Sequence, residues 1–190
     1  LHARMPLEVH LVGHSAGAVL LAPLVRLLTQ ELGIPVATCT LWAPAASIAL
    51  FKQTYLPAIT SGAIGQFTLF TLTDRAEQDD HVAHVYNKSL LYLVSRSFEN
   101  GAFGRGTPLL GLARWVEQDP DLSALFRSGR ADWVLSPNEE PEGAPHASAC
   151  AEHGGFDDDV ATVRATLARI LALPAAPPEV VFDFRSSSAY

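Results

Sequence analysis

The sequence predicts an α/β fold, a mostly parallel sheet with flanking helices. Short runs rich in β-forming residues alternate with apolar or amphipathic stretches of helical length, the pattern of successive βα units. The 190 residues, 48% hydrophobic and 17% charged, are enough for one soluble domain with a sizeable core. No internal repeat is visible.

The elements follow in order. Residues 7–13 are a short, mostly apolar strand. Residues 16–32 are apolar nearly all round, which predicts a buried helix; Pro23 should kink or divide it, and Gly33 with Pro35 should stop it. Residues 37–43 form a second strand ended by Pro44. "QFTLFTLT", residues 66–73, is a third, dense in β-formers. Residues 89–98 read as a helix or buried segment, and the Gly-rich residues 100–111 as a loop. "ADWVLS", residues 131–136, is the fourth strand, and the polar, Pro/Gly-rich residues 137–155 are a long loop. Residues 157–173 carry Val160, Val163, Leu167, Ile170 and Leu171 at amphipathic-helix spacing. Residues 1–173 thus read as the domain, and 174–190 as a Pro-rich linker and tail.

Composition excludes several classes. The net charge of -7 argues against a nucleic-acid surface. No apolar run reaches the roughly 18 residues of a membrane span; "AGAVLLAPLV" comes nearest, and Pro23 and Arg26 interrupt it. No signal peptide is visible. Cys39 and Cys150 stand far apart in no metal-like spacing, so reduced thiols in a cytoplasmic protein are expected, although one bridge between them stays open. The chain opens at Leu1, a few residues before a strand, so further strands are expected upstream or from another chain.

In a parallel sheet, function gathers at the carboxyl ends of the strands. After the first strand comes "GHSAG", a G-x-S-x-G in strand–turn–helix context. Such a turn forces Ser15 into a strained backbone, and side chains at Gly13 or Gly17 are expected to collide with neighbouring elements. The helix N-terminus favours negative charge beside Ser15, and the Ala16 N–H is placed to hold an oxyanion. The competing reading of Ser15 is a helix N-cap.

A serine hydroxyl needs a base, here expected to be a later histidine oriented by an acid between the two in sequence. Asp74 directly follows the third strand. Asp80, in "DDHV", is the alternative acid, and Asp79 and Glu77 share the loop. His153, in "EHGGF", follows the fourth strand and precedes the last helix; His146 in the same loop is the alternative base. His14 adjoins Ser15 and cannot easily fold back onto it as a base. Asp157, Asp158 and Asp159 read as helix caps rather than metal ligands, and no metal site is expected.

With these residues, the chain resembles the C-terminal half of an α/β-hydrolase. "VHLVGHSAG" resembles that family's central strand and elbow, "CTLWAPA" the next strand, "FTLFTLTD" the acid-bearing strand, and "ADWVLS" with "HGGF" the histidine-bearing region. The resemblance implies hydrolysis of an ester, thioester or amide through an acyl-enzyme, with no cofactor: Ser15 attacks, His153 relays the proton, and Asp74 fixes the imidazole. The family's four strands before the elbow have no counterpart here, nor has the second oxyanion donor from their loops. A non-catalytic hydrolase-fold binding module and an acyltransferase with the same triad are the alternative functions. Residues 86–115, rich in Leu, Phe and Tyr, are a candidate acyl pocket or simply core.

Overall fold

The computed structural model describes residues 7–80, 90–97 and 106–176. Strands β1 (His10–His14), β2 (Val36–Trp42), β3 (Ile64–Leu72) and β4 (Ala131–Ser136) form one all-parallel sheet in the order β1-β2-β3-β4. Gly13 lies opposite Leu41, Leu41 opposite Leu69, and Leu69 opposite Trp133. The helices are α1 (Gly17–Arg26), α2 (Ile48–Thr60), α3 (Asp74–Asp79), α4 (Leu90–Ser97), α5 (Ala113–Gln118), α6 (Pro120–Arg127) and α7 (Val160–Ile170). The expected α/β class is therefore the observed one.

Side-chain alternation along the strands feeds two cores, one on each face of the sheet. Cys39, Leu41, Phe67 and Leu69 pack with Ala18, Ala22 and Val25 of α1 and with Phe51 and Tyr55 of α2. Trp42, Phe70 and Val134 pack with Leu91, Phe156 and Ala165 on the other side. Cover on both faces explains why the strands read as continuous apolar runs rather than alternating ones.

The first helix departs from expectation. Only its Ala18, Ala22 and Val25 are buried. Leu20 is 76% exposed and Val19 43%, and Val12 on β1 is 39% exposed. The reason is topological: β1 is an outer strand of this sheet, and no described strand lies beyond it to cover the outer half of α1. Pro23 sits inside α1 without ending it. The helix instead widens into a π turn, Leu27–Glu31, where the Leu32 N–H donates to the Leu27 carbonyl at 2.9 Å. Gly33 then reverses the chain at φ 63, as its freedom at positive φ allows. Both cysteines are free and buried.

No described helix is long and apolar enough to cross a membrane. The expected tail beyond residue 176 lies outside the described residues, as do residues 100–105 of the Gly-rich loop and, within the candidate acyl pocket, residues 86–89 and 98–105.

Tyr55 ties α2 to the first turn of α1: its hydroxyl donates to the Ala18 carbonyl at 2.5 Å inside the core. Tyr55→Phe keeps the ring and loses that bond. It should cost about 1 kcal/mol, read as a lower urea midpoint at unchanged slope; an unchanged midpoint would show that the bond contributes nothing.

Candidate active site

Ser15 stands between β1 and α1 with φ 52, in the left-handed region that non-glycine residues rarely enter. Its backbone is pinned on both sides. The Ser15 N–H donates to the Trp42 carbonyl at 2.9 Å, and the Ser15 carbonyl accepts from Ala45 at 3.0 Å and Ala18 at 3.2 Å. Gly13 is needed for close approach: a Cβ there would stand 2.7 Å from Leu21 Cδ1 and 3.2 Å from the Gly17 carbonyl carbon. The expected collision at Gly17 is not found, because a Cβ there would meet nothing within 4 Å.

The N-cap reading of Ser15 fails on geometry. Ala16 is the N-cap residue of α1, with no side-chain cap. The Ser15 hydroxyl points elsewhere, to His153 Nε2 at 2.9 Å across 138 residues of sequence. Ala16, at the positive end of α1, has no hydrogen-bond acceptor on its N–H among the described residues.

His153 opens a short 3-10 turn, His153–Gly155, and is 4% exposed. The long loop that carries it is stitched down by polar side chains. Asn138 Nδ2 donates to the Leu135 and His146 carbonyls. Ser148 Oγ donates to Ser136 Oγ at 2.6 Å and lies 2.7 Å from Thr162 Oγ1. Ser136 Oγ donates to the Cys150 carbonyl at 2.6 Å. Asp159 Oδ2 caps α7 through the Thr162 N–H and also accepts from the Ala149 N–H, each at 3.0 Å.

Two further side chains clamp the backbone of His153. Asp80 Oδ2 accepts its N–H at 2.9 Å, and His14 Nε2 donates to its carbonyl at 2.8 Å. Burial, followed by the neighbouring His14, pushes the His153 pKa down from 6.5 to about 4. The ring is therefore neutral at pH 7. Its Nδ1 is buried and has no hydrogen-bond partner among the described residues.

Of the two candidate acids, Asp80 is the one that touches His153. Asp74 is exposed on the first turn of α3, and no hydrogen bond joins it to His153. The helix between them explains the difference, since Thr73 caps α3 and turns Asp74 toward solvent while Asp80 emerges at its far end. Asp79 pairs with Arg75 on the surface. Glu77 is buried in α3. Of the candidate bases, His146 faces Asp132 near the start of β4, at 3.7 Å, away from Ser15. His10 Nδ1 bonds Thr38, and His2, His81 and His84 lie outside the described residues. Asp157 approaches His14 Nδ1 at 3.6 Å rather than capping α7. Beside the site, Asp79, Asp80, Glu152, Asp158 and Asp159 line an open acidic cleft. No cluster of metal-ligating side chains occurs among the described residues.

His14 is the residue that sequence reasoning missed. Local position made it unfit as a base, and nothing local signals a carbonyl 139 residues away. Compared with family models, curated proteins and solved structures, the chain matches none.

The depressed pKa of His153 fixes the sign of a pH effect. The unfolded ring protonates near 6.5 and the folded one near 4. This histidine thus leaves stability unaffected above pH 6.5, and the folded state loses ground as pH falls from 6.5 toward 4. Urea midpoints across this window should fall less steeply in His153→Gln than in the native chain. In an NMR titration the His153 ring should stay neutral at pH 5.5; a midpoint near 6.5 would contradict its burial.

Proposed function

We propose that this chain carries the catalytic groups of a serine hydrolase of α/β-hydrolase type, cleaving a carboxylic ester, thioester or amide. One observation carries the reading: a serine on a left-handed turn between strand and helix, its hydroxyl 2.9 Å from the Nε2 of a buried histidine with depressed pKa. An N-capping serine has no reason to meet such a partner.

Ser15 Oγ attacks the acyl carbon while its proton passes to His153 Nε2. The carbonyl oxygen becomes an oxyanion held by the Ala16 N–H at the start of α1. As the tetrahedral intermediate collapses, the bond to the leaving group breaks and His153 returns the proton to it. Water then attacks the acyl-serine by the same route, releasing the acid and restoring Ser15.

A neutral His153 that accepts at Nε2 carries its own hydrogen on Nδ1. The imidazolium formed during attack needs an anion on that side. We assign this role to Asp80, whose carboxylate already sits on the His153 backbone N–H, with Asp74 as the alternative acid. Asp80→Asn should lower kcat/KM by about three to four orders of magnitude, as with other triads, and Asp74→Asn by less than tenfold. The reverse ranking would move the role to Asp74.

The exposed apolar residues of β1 and α1, and the open space at Gly17, support completion of the sheet beyond β1 by further strands, from upstream or from another chain. Those strands would bring the second oxyanion donor. One lost donor typically costs about 100- to 1000-fold, so residues 1–190 alone should hydrolyse a short p-nitrophenyl ester poorly and should self-associate. A monodisperse, fully active 190-residue monomer would refute this.

Ser15→Ala should abolish labelling by a fluorophosphonate and lower turnover by several orders of magnitude. If an upstream-extended native chain fails to label, the binding-module reading replaces this one. If acyl groups pass to an added alcohol or amine far faster than to water, the enzyme is a transferase. A cytoplasmic location fits the two reduced, buried thiols.

A further inference from the structure

We propose that His14, the residue before the serine, is a positioning residue that holds His153 in register with Ser15; this rests on the serine-hydrolase reading above. His14 ends β1, so its backbone is fixed by the sheet through its pairing with Trp42. From there Nε2 reaches the His153 carbonyl at 2.8 Å. A carbonyl only accepts, so Nε2 carries the hydrogen and donates. The other ring nitrogen, Nδ1, faces Asp157 Oδ1 at 3.6 Å, and the ring packs 5.4 Å from the His153 ring and edge-on to Phe156 at 6.2 Å. Phe156 is fully buried in the second core.

The consequence is geometric. Ser15 and His14 are adjacent on one rigid strand end, while His153 arrives on a loop. A loop alone would leave the distance between Oγ and Nε2 to the flexibility of residues 137–152. The bond from His14 references the histidine directly to the strand that bears the serine. With Asp80 on the N–H side, both backbone polar groups of His153 are held by side chains from different elements. A misplacement of about 1 Å in such a pair can cost about 100-fold in rate.

The test compares His14→Phe with His14→Gln in the chain form that labels with fluorophosphonate. Phe keeps a flat ring against Phe156 and loses the donor; the Gln amide places an N–H near the position of Nε2. His14→Phe should lower kcat about 10- to 100-fold at nearly unchanged KM, with the labelling rate falling in step. His14→Gln should recover to within about fivefold of the native rate. Native labelling by His14→Phe overturns the proposal and leaves the hydrolase reading intact, as does a His14→Gln variant that is as slow as Phe with native thermal stability. Absence of labelling in the native protein removes both. Should His14→Phe not fold, nitrogen NMR of the native imidazoles still decides: a hydrogen on His14 Nε2 supports the donor role, and a bare Nε2 excludes it.

Discussion

The whole site depends on one backbone conformation, the left-handed turn at Ser15. A non-glycine residue held there costs on the order of 1–3 kcal/mol, and it persists only where its surroundings over-determine it. Here they do. The Ser15 amide extends the β1–β2 ladder by one bond to Trp42, and its carbonyl takes N–H groups from both Ala18 and Ala45. The second of these comes from the turn after β2, where Ala43 is itself held at φ 38 and bonded to Phe70. The strain at the serine is thus offset by the ladders that join β1, β2 and β3. Gly13 completes the arrangement by letting α1 cross back over β1 so closely that a Cβ would crowd Leu21 and stand 3.2 Å from the backbone of Gly17.

The histidine is positioned by a different kind of physics. Its loop is long and has few apolar residues, so burial alone cannot fix it. Instead the buried hydroxyls of Ser136, Ser148 and Thr162 and the half-buried carboxylate of Asp159 form a polar chain between the end of β4 and the start of α7. The polar contacts along it are 2.6–2.7 Å, and networks of this kind rigidify what they touch. The Cys150 thiol joins them by donating to the Glu152 carbonyl at 3.0 Å, just before His153. Burial pushes this thiol up to about 12, so it acts as a donor and filler, not as a nucleophile.

The sequence revealed the scaffold better than its connections. The strands were legible because "TCTLW" and "FTLFTL" are too dense in β-formers for anything else, and β4 matched residue for residue. The meeting of Ser15 and His153 was legible because both stand just beyond strands whose ends were easy to place. Helix α2 was not predicted: it buries Ile48, Phe51, Tyr55, Ala58 and Ile59 but carries Pro57 and little polar contrast to give it a period. The exposure of α1 was hidden for the opposite reason, since an apolar helix at the side of a sheet reads like one at its centre. The sequence favours Asp74 over Asp80 because Asp74 stands next to the strand end, yet Asp80 is the one that touches His153: the short helix α3, started by a cap at Thr73, separates the two. His14 was out of reach, because its role depends on a loop that returns from the far side of the sheet.

The protonation of His153 depends on both of these constraints. A buried imidazole with pKa near 4 is always ready to accept a proton at neutral pH, yet it is a weak base for doing so. Stronger basicity requires an anion at Nδ1, which would raise that pKa toward the working range. Asp80 holds the backbone N–H of the same residue, which makes it the carboxylate proposed for that role. Moving to Nδ1 would leave the His153 N–H to find another acceptor, and His14 would then be the remaining clamp on that backbone. The two clamps therefore have unequal parts in the proposed mechanism. In that scheme Asp80 would both hold the base and strengthen it, while His14, fixed to β1 by its pairing with Trp42, would keep Nε2 aimed at Ser15.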